Sequence, residues 1–461
     1  MLCYISQPNR QWVEIYIDPK QSAKVVLDKV LNQLNILESD YFGLQYTGLK
    51  NEALWLNLRN RVCDHEILKA SNVYRFNLRV KFLVPPELIQ QECTKELFYT
   101  QVKDEMSKGL ITLTEPECDK ETLAKIVACI SQADFGDQTC NEYQSTIYHN
   151  VVKEICPHYG ELDKDILDKI FLEHSKLHGS PRASAKYWML RYASALPGYG
   201  VELHRAVTNS GEDVLFKVGP EGIIVQDCAT NAVKNRFPYP QIRLATHNEK
   251  TVHIELMNDA GETEKEESYK LISRRAAVAL YRCITEMHSF FRCATVCDDV
   301  QSQYSRDFKG TVVSIFNENS DLGKRYVFDI ERTSKQAYDF VKRKLFHSQS
   351  SPASSPIHCS MTLDCDNRLE RSENLSDHEG QDNDVKILKR KLESVKDSLL
   401  CCICMDNMVC MVLCPCGHMT CDSCSECIEK CPQCRSDVER FQKVFQNFGL
   451  DLRKEGITNC V

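Results

Sequence analysis

The side chains best suited to chemistry crowd into one stretch, Cys401 to Cys434, which reads CCICMDNMVCMVLCPCGHMTCDSCSECIEKCPQC and holds eleven of the chain's 25 cysteines. Eight of its residues keep metal-ligand spacing. Cys401 and Cys404 are followed after eleven residues by Cys416, His418, Cys421 and Cys424, and after six more by Cys431 and Cys434. A C-x2-C knuckle can set two thiolates on one zinc ion at about 2.3 Å, and four N/S donors close a tetrahedral shell with no open position. Joining the first pair to the third and the second to the fourth predicts two ions per chain. One sits on Cys401, Cys404, Cys421 and Cys424, the other on Cys416, His418, Cys431 and Cys434. Closed shells argue for a scaffold and not for zinc catalysis. A segment below about 40 residues does not fold on burial alone, whereas zinc supplies on the order of 10 kcal/mol. The metal therefore makes this fold.

The spare thiols Cys402, Cys410, Cys414 and Cys427 exceed what two shells use. Exchanging Cys414 for Cys416 would lose the C-x-H spacing, and Cys402 would leave a C-x-C, so the assignment stands. Disulfides need an oxidising compartment, and the opening MLCYISQPNRQWVEIYI carries no apolar signal-peptide core. A nucleic-acid module should be basic, yet this stretch has little Lys or Arg and the chain's net charge is −8. The interleaved pattern is that of a RING finger.

The elements that must deliver this finger lie upstream. Apolar residues make up 43% of the 461-residue chain and charged residues 26%, an ordinary balance for a globular protein of two to four folding units. No stretch has the 18 or more apolar residues of a membrane span. WVEIYID alternates as a strand does, and SAKVVLDKVLNQLNIL sets Ala23, Leu27, Val30, Leu34 and Leu37 on one helical stripe. YFGLQY, LWLNL and YRFNLRVKF complete a ubiquitin-like lobe, which Pro85-Pro86 closes. From about residue 87 to 190 the period is helical through ELFYTQVKDEM, CDKETLAKIVACISQADF, YQSTIYHNVVKEI, LDKDILDKIFLEHSKL and SAKYWMLRYASAL. Asp119 starts one of these helices, with Glu121 in its first turn. His174 and His178 lie at i, i+4 with no third ligand beside them, which predicts a solvated helix face.

After Pro197-Gly198 the period becomes two, in GVELHRAV, VLFKVG, GIIVQD, IRLAT and TVHIELM. The helix ISRRAAVALYRCITEMHSFFR follows, with Ala277, Leu280, Ile284, Met287 and Phe291 on the side that would cap an antiparallel sheet. This is a pleckstrin-like lobe. Residues 348–384 lack the apolar content to order themselves. DVKILKRKLESVKDSLL then spaces Leu388, Leu392, Val395 and Leu399 as a short heptad seam.

A ubiquitin-like, a helical and a pleckstrin-like lobe in that order resemble a FERM domain. The stretches DYFGLQYTG (40–48), LWLNLRNR (54–61), VGPEGI (218–223), QYSRDFKG (303–310) and YVFDIERTSK (326–335) are similar to the myosin regulatory light chain interacting protein family. That family joins a FERM domain to a C-terminal RING and is a ubiquitin ligase that targets lipoprotein receptors for degradation. The expected fold is multidomain α+β. Its parts are a ubiquitin-like lobe (1–83), a helical lobe (84–196), a pleckstrin-like lobe (197–295), an adjoining segment (296–347), a disordered linker (348–384), an amphipathic helix (385–400), the RING (401–436) and a tail (437–461).

The resemblance implies a ubiquitin-conjugating enzyme charged with ubiquitin as partner, contacted by Ile403 and Pro432, with Arg435 bridging enzyme and ubiquitin. It also implies receptor cytoplasmic tails as substrates, myosin regulatory light chain as a further partner, and a place in the cytoplasm at the inner face of the plasma membrane. Relatives can carry a denser cysteine cluster in the linker, where this chain has only Cys359 and Cys365. In the third lobe, Tyr281 and Thr285 lie one turn apart on the capping helix, placed to meet a peptide that adds to the sheet edge. Arg59, Arg61, Arg79 and Lys81 are candidates for anionic lipid. Beyond Cys434 the apolar Val438, Phe441, Val444 and Phe445 suggest a homodimer through the finger. The competing reading is a FERM scaffold that links membrane proteins to the actomyosin cytoskeleton and carries an inert zinc module. No nucleotide-binding or hydrolase motif is present.

Overall fold

The computed structural model describes residues 1–67, 73–138, 141–257, 263–349, 401, 403, 409–416, 418–425, 428–432 and 436–443. The predicted linker and the helix at 385–400 lie outside the described residues. Two units are present, Met1–Ser355 and Pro356–Val461.

The first unit opens with β1 (Leu2–Ser6), β2 (Trp12–Tyr16), α1 (Ala23–Gln33), β3 (Phe42–Thr47), β4 (Ala53–Trp55) and β5 (Tyr74–Val80). The sheet order is β2-β1-β5-β3-β4, with β1 and β5 parallel. Alternation explains β5, where Tyr74, Phe76, Leu78 and Val80 are buried and the residues between them face outward. On α1 the buried face is Ala23, Val26, Leu27, Val30 and Leu31. The predicted stripe overran the helix, because Leu34 is its cap and Leu37 lies beyond it.

Five helices follow: α2 (Glu92–Ser107), α3 (Lys120–Asp134), α4 (Asn141–Ile155), α5 (Lys164–Ser175) and α6 (Arg182–Ala193). Asp119 caps α3 by accepting the Thr122 N–H at 2.6 Å, which satisfies one of the orphan donors of a helix start. Apolar residues on every side of α3, from Leu123 to Ala133, are buried, so α3 is the axis against which α4, α5 and α6 pack. Here the prediction of a solvated His174 fails. Its ring is 1% exposed and bonds Tyr148 Oη at 2.8 Å, Gln132 Oε1 at 3.1 Å and the Gly136 carbonyl at 3.1 Å. Polar partners on α3 and α4, invisible to helical periodicity, make the site suitable for an imidazole. His178 is exposed as expected.

Gly198, at φ +96°, turns the chain out of the helices, and a Cβ there would strike the Leu110 carbonyl. The third lobe runs β6 (Glu202–Thr208), β7 (Asp213–Gly219), β8 (Gly222–Asp227), β9 (Val233–Pro238), β10 (Ile242–Asn248), β11 (Thr251–Met257), β12 (Thr263–Lys270) and α7 (Arg274–Phe291). Its antiparallel sheet has the order β10-β11-β12-β6-β7-β8-β9. Sequence periodicity missed β9 and β12. VKNRFP and TEKEESYK carry almost no apolar alternation and are strands because their backbones complete the ladder. On α7, Ala277, Leu280, Ile284 and Met287 are buried as predicted, but Phe290 rather than Phe291 enters the core fully.

The segment after α7 is part of this unit rather than an appendage. It contains α8 (Asp298–Ser302), β13 (Tyr304–Arg306), α9 (Phe308–Phe316), β14 (Lys324–Tyr326) and α10 (Ser334–Gln349). Phe328, Ile330 and Ala337 join the common core. Asn57 Nδ2 donates to the Tyr326 and Val327 carbonyls at 2.9 and 3.1 Å, and the Leu58 N–H donates to Asp329 Oδ2 at 3.0 Å. A buried ionic cluster completes the joint between the segment, β5's end and α7. Lys81 Nζ lies 2.7 Å from Glu286 and 3.0 Å from Asp329, and Arg282 Nη2 lies 3.2 and 3.0 Å from the same two carboxylates. Burial would raise the Asp329 carboxyl, but Lys81 and Arg282 outweigh it and hold it well below its usual range.

In the second unit, β15 (Met411–Cys414), β16 (Met419–Thr420), α11 (Asp422–Ser425) and β17 (Arg440–Lys443) form a small fold with sheet order β16-β15-β17.

Candidate metal centre

Chain geometry around β15 and β16 draws the donors together. The Leu413 N–H donates to the His418 carbonyl at 2.8 Å and the Cys410 N–H to the Thr420 carbonyl at 3.0 Å. This tight hairpin puts Cys416 and His418 at its tip and hands Cys421 and Cys424 to the short α11. The Cys431 N–H donates to the Ser436 carbonyl at 2.8 Å, turning the last knuckle back.

Two groups result. Cys401, Cys421 and Cys424 place their ligand atoms within 4.8 Å of one another, and so do Cys416, His418 and Cys431. Cys431 Sγ is 3.5 Å from His418 Nδ1. These are the two interleaved sets expected from spacing, less Cys404 and Cys434, which lie outside the described residues. Cys401, Cys421 and Cys431 are buried, and Val409 and Met419 are the main apolar contacts of the first group. A core this small depends on its metal. Thiolate and imidazole donors in fours fit zinc. Of the spare thiols, Cys410 and Cys414 belong to neither group, while Cys402 and Cys427 lie outside the described residues.

Around the metal groups, Ile403 is 42% exposed and Pro432 is exposed as well. Arg435 lies outside the described residues. The tail does not run free at first. β17 pairs antiparallel with β15, bringing Phe441 opposite Leu413, and the Val438 N–H donates to the Glu429 carbonyl at 2.9 Å. Phe441 is 38% exposed and Val438 half-buried; Val444 and Phe445 lie outside the described residues.

In the first unit, Tyr281 packs its ring on His247 of the edge strand β10 and on Phe328, at centroid distances of 5.0 and 5.4 Å. Its hydroxyl donates to Gln303 at 3.4 Å. Thr285 is half-buried one turn on. The four cations proposed for lipid do not share one free face. Lys81 is buried in the ionic cluster, Arg59 lies 3.4 Å over the Tyr326 ring and donates to the Gln301 carbonyl, and Arg61 pairs with Asp64 at 3.1 Å. Arg79 has one guanidinium nitrogen buried without a partner. Strand alternation placed Arg79 and Lys81 outside the ubiquitin-like sheet correctly; the docking of α7 and the 324–341 segment then covered Lys81. A surface that sequence reasoning missed lies on α9, where Phe308, Val312, Ile315 and Phe316 fall at i, i+4, i+7 and i+8 and are 86%, 40%, 74% and 86% exposed. Among the described residues, no helix is long and apolar enough to cross a membrane.

Family models match four stretches: FERM N-terminal domain over residues 5–66, FERM central domain over 84–204, FERM C-terminal PH-like domain over 208–298, and zinc finger of C3HC4 type (RING finger) over 397–441. Band 4.1-like protein 3 of Homo sapiens is 29% identical over 280 residues, covering 60% of this chain and 24% of that protein. The Protein 4.1 homolog of Drosophila melanogaster is 28% identical over 287 residues, covering 61% and 16%. The chain thus spans a quarter or less of the length of these curated relatives. The solved FERM and C-terminal domain complex of Drosophila Merlin superposes with a TM-score of 0.51 at 22% identity, covering 62% of this chain and 95% of that one, a likeness of fold alone. The chain is built as a three-lobed FERM domain followed by a C3HC4 RING finger whose two Cys/His groups fit two zinc ions.

Proposed function

We propose that the chain is a RING-type ubiquitin ligase of the myosin regulatory light chain interacting protein family, whose FERM domain binds receptor cytoplasmic tails of the lipoprotein receptor class. The observation that carries this reading is Ile403, an apolar side chain left exposed two residues from Cys401 of the first metal group, where a conjugating enzyme would cover it together with Pro432. The finger forms no covalent intermediate. A substrate lysine amine attacks the thioester carbonyl on the bound conjugating enzyme, an isopeptide bond forms as the thioester breaks, and the enzyme's cysteine leaves as a thiol. Holding the thioester in an attackable conformation is the finger's contribution. Arg435 suits the bridging role because a planar guanidinium can bond two carbonyl surfaces at once.

Tyr281 and Thr285, facing the free edge of β10, are the proposed docking point for a receptor tail added as a strand. Association at the inner face of the plasma membrane is peripheral. The exposed α9 stripe, with Lys309 on the same helix, offers an apolar face for a lipid surface to bury; sedimentation with anionic vesicles should be lost in Phe308→Ser with Phe316→Ser, and unchanged sedimentation would remove α9 from this role. Myosin regulatory light chain remains a proposed partner.

The deciding experiment is autoubiquitination by the full chain across a panel of conjugating enzymes. Activity is expected with the wild type and lost in Ile403→Ala and in Arg435→Ala, both retaining their zinc. Full activity in both variants would refute the contact surface. Zinc-loaded protein inactive with every enzyme would favour the second reading, a FERM scaffold with a structural finger, which shells completed by Cys404 and Cys434 would also suit.

A further inference from the structure

A third donor cluster lies in the FERM unit, far in sequence from the finger. Glu202 and His204 alternate on β6, so both side chains point to the face that α7 covers, and Cys283 of α7 meets them there. One carboxylate oxygen of Glu202, the ring nitrogen of His204 and the Cys283 thiol lie within 4.8 Å of one another. The His204 side chain is only 9% exposed and Cys283 only 5%.

The detail that points to a ligand is how His204 approaches Glu202. Nε2 is 3.0 Å from Oε1, an ion pair when the ring is protonated, and no well-aligned hydrogen bond satisfies this buried nitrogen. A metal ion taking the place of a proton between these two atoms would be bound by both at once. The other carboxylate oxygen accepts the Trp55 Nε1–H at 2.8 Å, the kind of outer contact that orients a ligating carboxylate. Beside Glu202 and Cys283 lies a cavity of about 20 Å³, lined also by Trp55, Met287, Glu286 and the cations Lys81 and Arg282, room for one water.

We propose that Glu202, His204 and Cys283 form a third zinc site, internal to the FERM domain and separate from the two of the finger. Sulfur, imidazole and carboxylate donors are the set zinc accepts. Charge supports the assignment. Lys81 and Arg282 are matched by Glu286 and Asp329, so among the described residues the Glu202 carboxylate has His204 as its ion-pair partner. A ligating thiol loses its proton to solvent on binding zinc, and the dication neutralises the thiolate and the carboxylate together. The ion would tie β6 to α7 and, through Trp55, the third lobe to the first.

The test is zinc content by mass spectrometry on the full chain, prepared with zinc present and desalted without chelator. The wild type is expected to hold one zinc more than Cys283→Ser and one more than Glu202→Gln, that is three against two with the finger loaded. Two variants are used because Glu202→Gln leaves the thiol in place, and tryptophan fluorescence checks that each is folded. Added zinc should also raise the thermal midpoint of the FERM unit by a few degrees in the wild type only. Equal counts in wild type and both variants would overturn the site, whatever the finger's own content; so would a third zinc that persists in either variant.

Discussion

His65 sits where an edge of the ubiquitin-like sheet meets α7. Its Nε2 accepts the Asn57 N–H at 3.0 Å while Nδ1–H faces the Arg61 carbonyl at 3.0 Å, a pairing that requires the neutral ring. Burial, seconded by the Arg282 charge, pushes its pKa from 6.5 down to about 4. The unfolded chain therefore takes up a proton between those two values and the folded chain does not, so stability falls as pH drops from about 6.5 to about 4. The loss should be on the order of 2 to 3 kcal/mol after allowing for solvent screening. Denaturant midpoints followed by tryptophan fluorescence isolate the FERM unit, because Trp12, Trp55 and Trp188 are the chain's three tryptophans. The slope of stability against pH should flatten in His65→Gln, and an identical slope would assign the acid sensitivity elsewhere.

At the scale of elements, the segment from Lys324 to Val341 is held to the FERM lobes by Asp329 more than by any other polar side chain. Asp329→Ala strands Lys81 and Arg282 with one carboxylate between them. Breaking a buried ion cluster from one side costs about 3 to 5 kcal/mol, and the FERM unit's denaturant midpoint should fall accordingly. A loss below about 1 kcal/mol would mean that Phe328 and Ile330 do the anchoring. β17 raises a second question of pairing. It is an edge strand of the finger's sheet with all four side chains exposed, and an unpaired edge is a template for a second copy. The proposed homodimer would use this edge with Val438 below it and Val444 and Phe445 beyond. Light scattering on the full chain should give twice the chain mass, falling to one in Val444→Arg with Phe445→Arg; a monomeric wild type excludes stable pairing.

For the whole molecule, the FERM unit owes its fold to a continuous apolar core and the finger owes its fold to metal. A strong chelator should therefore abolish ubiquitin transfer and expose the finger to protease while the tryptophan signal keeps its folded value. Collapse of both signals together would show that the units do not fold independently. The third zinc site bears on this experiment only through a small shift of the FERM midpoint.

The sequence by itself determined the two metal groups, because knuckle spacing is a covalent constraint that survives any packing, and it determined the three-lobe order, because strand and helix periods are local. It did not determine β9 or β12, whose polar residues carry no period and become strands only when neighbouring backbones need partners. His174 was assigned to solvent and Lys81 to a lipid-facing surface because periodicity reports which face of its own element a residue occupies. What covers that face is decided by elements distant in sequence, Gln132 and Tyr148 for the one, Glu286 and Asp329 for the other. Convergence of Glu202 and His204 on a strand with Cys283 on a helix, 79 positions beyond His204, is likewise a product of tertiary packing alone.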